Sequence, residues 1–124
     1  MGYETKLYIV DKFSKFPDEE KRYAHVIAMF NMSKCYFLSN VLRDEPKTDC
    51  YFYADDGNTQ VLEDRYGEPL KETTAETVIE LLEEAIADGE DYRRIFPLLS
   101  ALKTIEEQRK NGCWGDIAVL HYGY

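Results

Sequence analysis

A chain of 124 residues with 44% apolar residues and a net charge of −9 can bury roughly two-thirds of its unfolded surface in one core and is too apolar for a disordered segment. The charge argues against binding nucleic acid or an anionic membrane through general electrostatic attraction. No apolar run approaches the ~20 residues of a bilayer span, no N-terminal stretch has signal-peptide character, and three cysteines without a CxxC spacing fit a reducing cytoplasm rather than a disulfide scaffold.

Residues 3–10 are rich in strand formers, and their alternation places Tyr3, Thr5, Leu7 and Ile9 on one face with Tyr8 and Val10 on the other. A charged connection follows, with Phe13 and Phe16 expected to pin it to the body. Residues 23–32 have too few polar breaks for an exposed helix and read as a buried central strand, a helix being the rival reading. Residues 33–43 are ambiguous: Phe37, Leu38, Val41 and Leu42 fit one or two helical turns, and Asp44-Glu45-Pro46 ends the segment. Two strand-like runs flank Asp55-Asp56-Gly57-Asn58, where Gly and Asn accept positive φ, which predicts a β-hairpin. A second turn or strand end is expected at Arg65-Tyr66-Gly67-Glu68-Pro69.

A helix should start after Thr73 as N-cap, with Glu76 completing a capping box. Val78, Leu81, Leu82, Ala85 and Ile86 form its apolar stripe, and Gly89 its stop. A second helix is expected over about 92–110, with Tyr92, Ile95, Phe96, Leu99, Leu102 and Ile105 inward. Pro97 requires either a helix start near it or a kink. Residues 117–122 read as a final strand. This order predicts a single α+β domain over residues 1–124: a mostly antiparallel sheet of about five strands with two main helices on one face.

Charge is placed rather than spread. Residues 49–91 hold 14 acids and two bases, Arg65 and Lys71, and so carry −12 of a total of −9. Within that stretch Glu72, Glu76, Glu80, Glu84 and Asp88 recur every four residues, and Glu83 joins them. On one helix such residues are neighbours, and each like-charge pair costs roughly 0.2–0.5 kcal/mol. Glu84 and Asp88 also oppose the helix dipole, so Lys substitution at one or two sites should relieve repulsion. Three readings compete: a solvated face, a surface that imitates a phosphate backbone or docks on a basic protein patch, and a divalent-cation site. The last is disfavoured because one helical ridge rarely converges on a single ion and Asp55-Asp56-Gly57-Asn58 is too short for a Ca²⁺ loop.

Catalytic signals are weak. His25, His121, Cys35, Cys50 and Cys113 match no zinc spacing, and a Cys113–His121 nucleophile pair rests on proximity in sequence alone. No phosphate-cradling Gly loop, GxSxG or HExxH is present. No cofactor is implied. Trp114 between Gly112 and Gly115 reads as a core or rim aromatic.

The segments Asp64-Arg65-Tyr66-Gly67-Glu68-Pro69-Leu70, Val119-Leu120-His121-Tyr122-Gly123-Tyr124, Met1-Gly2-Tyr3-Glu4-Thr5-Lys6-Leu7 and Tyr92-Arg93-Arg94 resemble parts of small uncharacterised proteins of phages and prophages. The resemblance carries no catalytic motif. It implies a mobile-element origin, a bacterial-host cytoplasm and a non-enzymatic role, for many accessory proteins of that origin are acidic inhibitors of host nucleic-acid-binding machinery. The expectation is therefore an anti-CRISPR-like or similar anti-defence inhibitor. It would bind a basic protein surface through Glu72, Glu76, Glu80, Glu83, Glu84 and Asp88, without direct nucleic-acid contact. The alternative is a small structural or regulatory protein, able to pair as a homodimer through a Tyr-rich surface or sheet edge, whose acids serve only solubility.

Overall fold

A computed structural model describes residues 5–13, 21–33, 35–54, 56–64 and 67–123. Tyr3, Phe16, Asp55, Arg65 and Tyr66, given strand, packing or turn roles above, lie outside these residues. The elements are β1 (Thr5–Lys12), β2 (Arg22–Asn31), α1 (Tyr36–Leu42), β3 (Cys50–Tyr53), β4 (Gln60–Val61), β5 (Lys71–Thr73), α2 (Ala75–Ala87), α3 (Ile95–Lys110) and β6 (Ile117–Gly123). The α+β class is as expected, with three helices and a six-stranded sheet ordered β4-β3-β2-β1-β6-β5 among the described residues. The sheet is mixed, because β2 and β3 run parallel while the other pairs are antiparallel.

β1 is central and meets β2 on one side and β6 on the other. Its alternation sorts the two faces as read from sequence. Leu7 and Ile9 enter a core with Val78 and Leu82 of α2 and Leu98 and Leu102 of α3. Tyr8 and Val10 instead join Ala24, Cys50, Phe52, Leu70, Ala118 and Leu120. A bulge, with Ile9 opposite Ala28 and Val10 opposite Val26, adds a residue to β2 and bends the pair. β2 is a strand as expected, but only in part buried: His25 and Met29 are exposed.

The sheet curls until its ends approach. The outer edge of β5 takes the segment leading into β3: Thr48 N donates to Leu70 O at 2.9 Å and Glu72 N to Pro46 O at 2.8 Å. Phe52 then reaches across to Tyr8, ring centroids 4.4 Å apart. β5 was not anticipated as a strand. With three residues it has no readable alternation, and it exists because it is paired on both edges.

The β3–β4 turn has the expected chemistry. Gly57 has φ +74°, and Asp56 accepts from Asn58 N, Thr59 N and Thr59 Oγ1 at 2.8, 2.9 and 2.6 Å. Those bonds, the Thr59 hydroxyl's first, hold the Asp56 carboxyl down at about 2. The ambiguous segment resolves as α1, with Leu38 and Leu42 buried under the sheet. α3 begins at Ile95, so Pro97 falls in the first turn, where its missing N–H costs nothing and no kink is needed. That start sets the phase of the helix. Leu98 is buried, whereas Phe96, expected inward, is 45% exposed. No helix among the described residues is long and apolar enough to cross a membrane.

Candidate functional site

α2 presents the acidic surface. Its N-cap is Thr74, one residue later than expected: the Thr74 hydroxyl accepts from Thr77 N at 3.1 Å. Thr77, not a glutamate, occupies the position a capping box would use. Glu72 is therefore not on the helix, which corrects the five-acid ladder. It lies on β5, half-buried, paired with Lys12 at 2.8 Å. Glu76, Glu80, Glu83 and Glu84 do lie together on α2, with Asp88 at its C-cap, all exposed.

Compensation of these acids is sparse. Glu83 meets Lys103 of α3 at 3.3 Å, and among the described residues it is the only one of the five in an ion pair. Arg109 is held above its ordinary pKa mainly by the hydrogen bonds and charge of Glu106, with a smaller contribution from Glu76. Among the described residues none of Arg93, Arg94 and Lys71 makes an ion pair with the ridge; Arg94 instead donates to Asn31 O, and Lys71 lies on β5. The helix ends in a Schellman motif: Glu90 N donates to Ala85 O at 2.9 Å, Gly89 N to Ile86 O at 3.0 Å, and Gly89 has φ +94°. No base stands in its last turn. Glu84 and Asp88 thus add charge to a helix terminus that is already negative.

Beside that terminus runs an apolar groove of about 310 Å³ between α1 and α2. Phe37 and Val41 of α1 and Leu81 and Ala85 of α2 line it, with Glu84, Asp88 and Glu90 at its edge. Sequence reasoning did not find it. The i, i+4 spacing of Phe37 and Val41 was the available signal, but it had no meaning until α1 was known to be a helix beside α2.

A larger cleft, about 790 Å³, opens on the sheet face away from the helices. Tyr8, Phe52 and Tyr122 give it aromatic walls, and the ring centroids of Tyr8 and Tyr122 are 6.3 Å apart. Met29 and Leu62 lie at its surface, Lys6 sits 5.4 Å over the Tyr122 ring, and Asp64 is buried in its wall. On the other face of β3, Phe13, Tyr23, Tyr51 and Tyr53 form a run of ring contacts at 5.5–5.8 Å.

Asp49, Cys50 and Glu72 bring potential ligand atoms within 4.8 Å of one another. A cation of the chain already serves them. Lys12 Nζ is 2.8 Å from Glu72 and 4.0 Å from Asp49, and Thr48 Oγ1 donates to the other Glu72 oxygen at 2.7 Å. Burial pulls the Lys12 pKa down, but the hydrogen bond and charge of Glu72 outweigh it and hold it above the ordinary value. Burial pushes the Cys50 and Cys35 thiols up to about 11.

His121 and Cys113 form no nucleophile pair. Cys113 is exposed after α3, whereas His121 is buried on β6 with neither ring nitrogen hydrogen-bonded. His25 is exposed on β2. Trp114 is half-buried against the helical core, and its Nε1 donates to Gln108 at 3.0 Å, as suits a rim aromatic. Comparison with protein-family models, curated proteins and solved structures finds no match to this chain.

Proposed function

We propose that this chain is a non-enzymatic acidic binding module that docks on a basic surface of another protein through α2. The observation that carries this reading is the exposed set Glu76, Glu80, Glu84 and Asp88, four acids at four-residue intervals without an ion pair among the described residues, of which Glu84 and Asp88 stand at the negative end of the helix. Apart from Glu76, which the positive end of the helix favours, folding gains nothing from that arrangement, since each adjacent pair costs roughly 0.2–0.5 kcal/mol. A basic partner surface would offset it. In the sharper form, the acids stand in for a phosphate backbone and occupy a nucleic-acid channel of a host defence system, as inhibitors of the anti-CRISPR kind do. The mobile-element resemblance of the sequence favours that form. Glu72 leaves the contact set and becomes a residue that holds β5.

Affinity capture from host lysate with wild type and with a folded Glu76→Lys, Glu80→Lys, Glu84→Lys variant tests the reading. A partner held by wild type, lost from the variant and released as salt screens beyond ~10 Å is the expected outcome. Equal retention by both proteins would sink it. A second reading, self-association, is favoured by the Phe13–Tyr53 aromatic run, whose two end residues are 47% and 40% exposed. Light scattering over a concentration series decides it: a strict monomer at high concentration removes the dimer.

A further inference from the structure

We infer that the groove between α1 and α2 receives an amphipathic basic helix of the partner, with an apolar side chain in the groove and Lys or Arg on its acidic edge; this rests on the reading of α2 as the partner surface. The floor is unlike the rest of the acidic surface. Phe37, Leu81 and Ala85 are only half-buried, and Val41 beside them is 41% exposed. Tyr36, next to Phe37 on α1, is 58% exposed, so this seven-residue helix carries two large exposed hydrophobic residues.

The charge at the groove has one sign. Glu84, Asp88 and Glu90 border it, and no Lys or Arg does so among the described residues. The carbonyl end of α2 adds to them. An apolar wall beside such a field focuses it and strengthens attraction for a cation. Basic charge next to an apolar anchor is the complementary chemistry.

The partner segment should be helical. Helices flank the groove on both sides, so it offers no strand edge with which an extended chain could pair. Side-chain anchors spaced along one face of a helix are what such a groove can read. A helix also keeps its own backbone hydrogen bonds while it contributes that face.

The full chain and a fluorescein-labelled 14-residue peptide of Leu and Lys, with Leu at helical i, i+3, i+4, i+7 spacing, provide the test by fluorescence anisotropy. A scrambled peptide of the same composition and an equally charged Lys/Gly peptide without Leu serve as comparisons. Wild type should bind the amphipathic peptide at least tenfold more tightly than either. Val41→Asp should weaken that binding at least tenfold although it adds negative charge, whereas a purely electrostatic attachment would tighten. Backbone amide shifts of wild type on peptide addition should concentrate at residues 37–41 and 81–90, which tests the groove without any variant. Binding of the Leu-free peptide equal to that of the amphipathic one, or unweakened binding by a folded Val41→Asp, overturns the groove and leaves the acidic-surface reading standing. Equal binding of the scrambled peptide overturns the helical partner. Binding of every peptide unchanged by Glu84→Lys with Asp88→Lys overturns the acidic-surface reading and this inference with it.

Discussion

Acidification should destabilise this fold through His121 before most carboxylates titrate, and His121→Leu should remove that part of the effect. His121 is 3% exposed, opposite Leu7 of β1 and Lys71 of β5, with no hydrogen bond to either ring nitrogen. Burial, with Lys71 adding and Asp64 opposing, lowers its pKa from 6.5 to about 4. The unfolded chain therefore takes up a proton near pH 6.5 that the folded chain refuses until about pH 4. Proton binding favours the unfolded state throughout that window, so stability falls as pH falls through it and levels off below. At about 1.4 kcal/mol per pH unit the loss reaches about 3 kcal/mol, a large share of the 5–15 kcal/mol typical of a domain. Urea unfolding of wild type and His121→Leu at several pH values between about 7 and 4 measures it, and their difference cancels the shared carboxylates. At pH 7 the leucine variant should be at least as stable as wild type, because a buried nitrogen without a partner costs about 1–3 kcal/mol. Wild-type and variant stabilities that run parallel across the window would refute the reasoning.

Two further outcomes follow from the buried polar groups. Lys12→Met leaves the Glu72 carboxylate half-buried with only Thr48; it should cost about 3 kcal/mol in urea unfolding, the low end for a broken buried pair, and Lys12→Met with Glu72→Leu should recover much of it. Native protein treated with an aromatic disulfide reagent should release chromophore rapidly from Cys113 alone, since Cys35 and Cys50 are buried with raised pKa values; three rapid equivalents would contradict their burial.

Much of the fold was legible because its longer elements declare themselves locally. β1 and β6 carry strand formers over enough residues to mark their faces, and Leu7 and Val119 are fully buried as that pattern requires. In α2 the stripe of Val78 and Leu82, with Gly89 behind it, set type and end correctly. Its start was misplaced by one residue because Thr73 and Thr74 are equally good caps, and only the pairing of Thr73 with Val119 makes the first a strand residue. The acidic surface was legible as charge, but its membership was not, since Glu72 turns to a lysine sixty positions away.

The sequence by itself determined the α+β class, the two faces of β1, the buried stripe of Val78 and Leu82 on α2, and the concentration of negative charge between residues 49 and 91. Those properties are encoded in runs of neighbouring residues and need no knowledge of what lies across the chain. Tertiary structure alone decided the parallel β2–β3 pairing, the three-residue β5, the curl that joins it to the approach to β3, and the groove between α1 and α2. Each depends on hydrogen bonds or contacts between segments distant in sequence, for which short elements hold no local signal. The same division holds for function: the charge was written in the chain, and the apolar groove beside it exists only once the two helices are side by side.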